Sequence, residues 1–249
     1  MGDPLRLYGL NALVTNAGSG VGEAVARTLM KHGASVLAVD NANSGVEQLF
    51  KSVKGVNGHS EAYTDAGRLP ALIEYAVEQL GGIDILVTDF DIPTDGPIRT
   101  DGEALDKLLN HRAELVLSMA RGVLPHMKKS PAGRIINIGF LRSVFAATGV
   151  SAVDKSEQNL AAITRALAAE TGDFGITANY VQPGAVMTPS SRAVFRKNKD
   201  LRDYCIANSA AKRLGEPVDI AKVVLFLASD DAVFVSGSGI AVDGGRTDV

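Results

Sequence analysis

The chain has 249 residues, 46% of them hydrophobic and 21% charged, and its 25 Lys and Arg against 28 Asp and Glu leave a net charge of −3. That apolar share supplies a sizeable core and excludes a disordered chain, while the near balance of charge argues against nucleic acid as a partner. The single cysteine, Cys205, has no partner for an internal disulfide, and His32, His59, His111 and His126 lack ligand spacing, so no metal is expected and a reducing cytoplasm fits. Met1 to Arg6 shows no basic start followed by an apolar run, and the longest apolar stretch, Val223 to Ala228, is too short to span a bilayer, so no membrane partner is expected.

In chain order, Ala12 to Val14 reads as a buried strand and Val21 to His32 as a helix of 3.6-residue period. Between them stands Thr15-Asn16-Ala17-Gly18-Ser19-Gly20-Val21-Gly22. A strand, a glycine turn and a helix start offer bare backbone N–H groups and the positive helix end to a phosphate. Thr15, Asn16, Gly18, Ser19, Gly20, Val21 and Gly22 are therefore the candidate cofactor contacts. The second strand, Ser35 to Val39, runs into Asp40 and Asn41. A carboxylate about 20 residues beyond such a turn accepts hydrogen bonds from a ribose 2′-hydroxyl and repels a 2′-phosphate, which predicts NAD in preference to NADP.

Then follow a helix over Leu69 to Leu80, a strand over Ile83 to Val87 and a long helix over Glu103 to Met127. A strand over Arg134 to Ile138, a helix over Glu157 to Thr171 and a strand over Ile176 to Val181 complete the series. The alternation predicts an α/β fold, one doubly wound parallel sheet with helices on both faces, as a single domain over residues 1–249. Thr188 to Arg213, polar and basic, is the least regular stretch; it reads as a flexible lid over a ligand crevice or as a solvated surface helix. The long helix carries Leu105, Leu108, Leu109, Leu115, Val116, Leu117, Met119 and Val123 on more than one side, and a second apolar face predicts a partner.

Over essentially its whole length the chain resembles the short-chain dehydrogenase/reductase family. Thr15, Gly20 and Gly22 match the family's Thr-Gly-x-x-x-Gly-x-Gly, with Asn16, the best substitute for a left-handed glycine, in the first glycine's place. Asp65, Pro183-Gly184 with Thr188, Arg213-Leu214-Gly215-Glu216-Pro217 and Val242-Asp243-Gly244-Gly245 match as well. The resemblance implies a Rossmann-like NAD(P)-binding domain, oxidoreductase activity, and cofactor contacts that add Asn41, Asp65, Pro183, Gly184 and Thr188 to the turn. It also implies a homo-oligomer, tetramer or dimer, packed through the long helix and the next one; a hetero-oligomer with an active paralogue is the alternative.

The same family uses a Tyr as general acid, a Lys four residues later, a Ser thirteen residues before the Tyr, and an Asn. Counting back without a gap from Thr164-Arg165-Ala166-Leu167, the Ser position holds Phe140, the Tyr position Val153 and the Lys position Glu157. Asn110 reads as the one survivor, and Thr88-Asp89-Phe90-Asp91 replaces the family's Asn-Asn-Ala-Gly after the strand over Ile83 to Val87. Glu157 is expected to face a wall of Phe140 and Val153, where desolvation raises a carboxyl pKa, with Asp89 and Asp91 close by. The candidate catalytic set is thus Asn110, Glu157 and Asp91. Three functions stay open: an NAD-dependent oxidoreductase with other proton donors, a redox-neutral acid-base enzyme such as a dehydratase, isomerase or cyclase, and a non-catalytic cofactor-binding subunit. The identity of a small-molecule substrate is not legible in the sequence.

Overall fold

The computed structural model describes residues 7–90, 96–130 and 132–248. Asp91 of the candidate catalytic set lies outside the described residues. The elements run β1 (Asn11–Val14), α1 (Gly20–Lys31), β2 (Ser35–Asp40), α2 (Val46–Phe50), β3 (Val56–Ser60), α3 (Leu69–Leu80) and β4 (Ile85–Thr88). They continue with α4 (Glu103–Met127), β5 (Arg134–Ile138), α5 (Val150–Thr171), β6 (Thr177–Pro183), α6 (Pro189–Lys197), α7 (Lys199–Ala207), α8 (Pro217–Ala228) and β7 (Gly239–Val242).

All seven strands form one parallel sheet in the order β3-β2-β1-β4-β5-β6-β7. Alternation along the strands separates two apolar layers. Ala12, Val14, Ile136 and Ile138 pack with α1 and α8 on one face, while Leu13, Leu86, Ile135 and Ala178 pack with α3, α4 and α5 on the other. Because β1 is flanked by β2 and β4, the chain reverses its winding direction there, and the carboxyl ends of β1 and β4 open a crevice at the switch point. The doubly wound α/β fold expected from the sequence is therefore present, Rossmann-like in its strand order. No helix among the described residues is long and apolar enough to cross a membrane.

Three expectations need correction. α5 begins at Val150, seven residues before Glu157, so the Tyr-position residue Val153 lies inside its first two turns. Residues 188–213 contain two capped helices. The Thr188 hydroxyl and the Ser191 side chain cap α6 reciprocally, Asn198 caps α7 through Leu201 N–H, and Phe195, Leu201 and Cys205 form a small core with Ala185 and Met187. The second apolar side of α4 is already covered within the chain. Leu115, Val116, Met119 and Val123 face the central layer, whereas Leu105, Leu108 and Leu109 pack against Phe140, Phe145, Ala152 and Val153, so that face does not itself call for a partner.

Candidate functional site

The glycine turn takes shape from close packing. A Cβ on Gly22 would meet the Asn16 carbonyl oxygen at 2.1 Å, so only glycine lets α1 approach β1 this closely. Gly20 (φ +61°) and Asn16 (φ +54°) both take left-handed conformations, and Asn is among the few residues that do so at modest cost. Ser19 is the N-cap of α1 but makes no side-chain cap bond, which leaves the helix's first amides directed at the crevice. Ala17 N–H donates to the Val39 carbonyl and ties the turn to β2.

At the end of β2, the Asp40 carboxylate accepts Gly18 N–H at 2.7 Å and Asn41 N–H at 2.7 Å. Burial raises its pKa above the ordinary aspartate value, and those two hydrogen bonds partly oppose the rise. A Cβ on Gly18 would fall 2.7 Å from both the Asp40 carboxylate and the Ser44 Cβ, so an acid and a hydroxyl residue border the turn's outer side. Bare amides, a cradle that a Cβ would fill and an acid at the strand end fit a nicotinamide dinucleotide. Thr15, Asn16, Gly18, Ser19, Gly20, Val21, Gly22 and Asp40 would hold it. Thr188 belongs with them, since its Cβ stands 3.2 Å from the position of a Gly20 Cβ.

Other candidates are placed differently. Asn41 contributes its backbone N–H to Asp40 while the residue itself is exposed. Asp65 is exposed and caps a short 3-10 turn through Gly67 N–H at 2.9 Å. Pro183 ends β6, and Gly184 packs so tightly against Asp243 that a Cβ would come within 2.6 Å of its Cα.

The crevice is about 230 Å³ and is lined by Asn16, Ser19, Gly20, Val21, Asp89, Phe140, Ser143 and Thr188 among others. Asp89 is fixed at its rim. Its N–H donates to Thr15 Oγ1 at 2.9 Å, that hydroxyl donates to the Asp89 carbonyl at 2.8 Å, and Asn16 Nδ2 donates to the Asp89 carboxylate at 3.1 Å. Below, the Thr88 hydroxyl donates to Asn137 Oδ1 at 2.7 Å, and Asn137 Nδ2 donates to Thr164 Oγ1 at 3.2 Å. This buried chain links β4, β5 and α5 and satisfies its polar atoms internally.

The residues counted to the family's Ser and Tyr positions, Phe140 and Val153, are apolar. Phe140 lines the crevice and Val153 packs behind it in one apolar cluster. Asn110 is exposed and is not brought to the crevice, which corrects its reading as a surviving catalytic residue. The α4 side chain that backs the crevice wall is Arg112, two residues on, packed against Phe140; two residues are about 200° of helix, so they point in opposite directions. Arg112 is 3% exposed, its guanidinium lies 4.1 Å over the Phe140 ring, Nη2 donates to the Ile138 carbonyl, and Nε is buried without a hydrogen-bond partner. Burial pushes its pKa down to about 10 against the opposing charge of Asp89.

Glu157 is half-buried, and desolvation raises its pKa as expected, but its neighbours differ from those expected. The charges it feels are those of Arg246, Asp154 and Asp243 near the chain's C-terminal end, and it does not line the crevice. The sequence carried a signal for Arg112: it stands in the buried stripe Leu105, Leu108, Leu109, Leu115, Val116 and Met119, where a charge is out of place. Ser143 gave no such signal, because only the loop after β5 brings it to the wall.

Comparison with known proteins supports the family assignment. The family described as enoyl-(acyl carrier protein) reductase matches residues 16–247. A 3-oxoacyl-acyl-carrier-protein reductase of Thermotoga maritima is 30% identical over 246 residues, covering 97% of this chain and 99% of that protein. The enzyme of the same description from Vibrio harveyi is 32% identical over 97% of this chain and 98% of its own. The 2-(R)-hydroxypropyl-CoM dehydrogenase of Xanthobacter autotrophicus is 31% identical over 95% of this chain and 98% of its own. With the strand order, the glycine turn and these likenesses in agreement, the chain belongs to the short-chain dehydrogenase/reductase family.

Proposed function

We propose that this protein is an NAD(H)-binding member of its oxidoreductase family that does not work as a Ser-Tyr-Lys carbonyl reductase. The observation that carries the reading is the contrast between the two halves of the crevice. The half formed by Asn16, Gly18, Gly20, Gly22 and Asp40 keeps the features that suit a dinucleotide with an unphosphorylated ribose. The half walled by Phe140, which Val153 and Arg112 back from within the core, offers an apolar, cation-backed surface in place of hydroxyl donors. A bound nicotinamide cofactor would supply hydride chemistry; the chain's own residues position the ligand and keep water out. Among the described lining residues, Asp89 is the one ionisable group facing the crevice, which favours a redox-neutral acid-base reaction as the second reading.

The relatives' acyl-carrier-protein and coenzyme M substrates set the range to test first. Steady-state oxidation of NADH with a panel of ketones, including 3-oxoacyl thioesters, is expected to be absent or slower by about 10²- to 10⁴-fold than general acid catalysis allows. Vigorous turnover unchanged by Asp89→Asn would overturn the reading. A homo-oligomer in a cytoplasmic setting is part of the proposal. Its support is the exposed apolar pair Val233 and Phe234 beside β7, an edge strand with alternate residues exposed.

A further inference from the structure

We propose that Arg112 is the lock on this crevice: its guanidinium and the Phe140 ring form one interlocked plug that fills the room a carbonyl group would need. The inference rests on the reading of the crevice as a nicotinamide site and adds a residue that the missing Ser, Tyr and Lys do not account for. Arg112 leaves α4 at the buried stripe and ends 4.1 Å from the Phe140 ring, a stacking distance for a cation on an aromatic face. Its anchors are few: the Ile138 carbonyl, the ring and the nearby charge of Asp89, with Nε left unpartnered. Phe140 is held in turn by Phe145, edge-on at 6.3 Å between centroids, and by Leu105, Leu108, Leu109 and Val153. The ring is thus the lid over a buried charge.

Removing the ring alone strands that charge. A serine at 140 would leave a void beside an under-bonded guanidinium, which gains by moving into the vacated space and taking the new hydroxyl as its partner. The hydroxyl would then be spent on Arg112 and not on a substrate oxygen. Phe140→Ser, Val153→Tyr and Glu157→Lys together therefore do not suffice; Arg112→Asn must accompany them. In the restored reaction NADH would give hydride to the carbonyl carbon and the tyrosine introduced at 153 would give its proton to the oxygen. The products are the alcohol and NAD, and the phenol recovers its proton from water.

Two measurements on the full chain test this. Thermal unfolding of Phe140→Ser, Arg112→Asn and the double variant is expected to be strongly non-additive, the double losing less in Tm than Phe140→Ser alone. Phe140→Leu with and without Arg112→Asn supplies a milder cycle in which every member is expected to fold. NADH titration by fluorescence and kcat for a carbonyl panel are then compared between the triple variant and the quadruple one. The quadruple is expected to turn over at least about tenfold faster at equal NADH saturation, and Arg112→Lys in the same background is not expected to match it. Additive Tm shifts, or equal kcat in the two backgrounds, would overturn the proposal. Failure of every variant to bind NADH would instead count against the reading of the crevice, and the unfolding cycle would still decide on the plug.

Discussion

A buried carboxylate beside two backbone amides has a defined preference among ligands, and Asp40 is such a group. Each of its oxygens accepts one N–H, at Gly18 and Asn41, so the charge is fixed where the turn's outer side meets β2. A ribose 2′-phosphate placed near it meets repulsion with no basic side chain from Ala17, Ser19, Asn41 or Ser44 to offset it. Asp40→Ala is expected to narrow the NAD-over-NADP affinity ratio at least about tenfold, measured by calorimetry, which at 25 °C corresponds to about 1.4 kcal/mol. Burial also raises the Asp40 pKa, so acidification neutralises it earlier than an ordinary aspartate. The discrimination is therefore expected to shrink as pH falls through that raised value; a ratio independent of pH in wild type would count against Asp40 as its source. At this scale the sequence was informative wherever backbone geometry decides the residue, as at Gly20 and Gly22. It misled at Asn110, because the choice between Asn110 and Arg112 depends on the rotation of α4 about its own axis, which Leu105, Leu109 and Met119 set by burial.

Elements hold the crevice together through a clasp that no single motif announces. The C-terminal segment runs between α7 and α5: Thr247 N–H donates to the Asn208 carbonyl, Tyr204 Oη donates to Asp248 at 2.8 Å, and Arg246 bridges Asp248 at 2.5 Å and Asp154 at 3.0 Å. Arg142, buried, adds its charge to Asp248 at 3.9 Å while donating to the Phe145 and Ala146 carbonyls. Burial by itself raises the Asp248 carboxyl, but the hydrogen bonds from Arg246 and Tyr204, with the charges of Arg246 and Arg142, outweigh it and hold the group below its ordinary value. A lowered folded pKa means that the stabilisation is present above the unfolded aspartate value of about 3.9 and is lost as pH falls through the lower folded one. Asp248→Asn is expected to cost about 1–3 kcal/mol at pH 7, at about 2–4 °C in Tm per kcal/mol, with the gap to wild type closing as pH falls below the unfolded aspartate value of about 3.9. A gap that stays constant from pH 7 to pH 3 would contradict this account of the clasp. The helices α6 and α7, the second of them held by this clasp, escaped a periodicity reading for a local reason. Asn198 ends one helix and caps the next, so Phe195, Leu201 and Cys205 never form a continuous 3.6-residue stripe.

The whole molecule is organised by its sheet, and the sheet was legible from long apolar runs and the helices between them. β3 and β7 were not read as strands, because an edge strand such as Val-Asn-Gly-His-Ser buries only Val56 and shows little apolar pattern. The order β3-β2-β1-β4-β5-β6-β7 brings the turn after β1, the acid after β2, Asp89 after β4 and Phe140 after β5 to one edge. That convergence explains why the turn and the acid proposed to hold the dinucleotide were readable from local motifs. The other half depends on side chains from α4, α5 and two loops that meet only in the fold, as Arg112, Phe140 and Val153 do. The central claim is that the first half still binds its ligand although the second has lost the family's proton donors. Isothermal titration of the purified wild-type chain with NADH and, separately, NADPH tests it most directly. Saturable binding of NADH at one site per chain, with NADPH at least about tenfold weaker, is the predicted result; no binding of either at millimolar concentration, or tighter binding of NADPH, would contradict it.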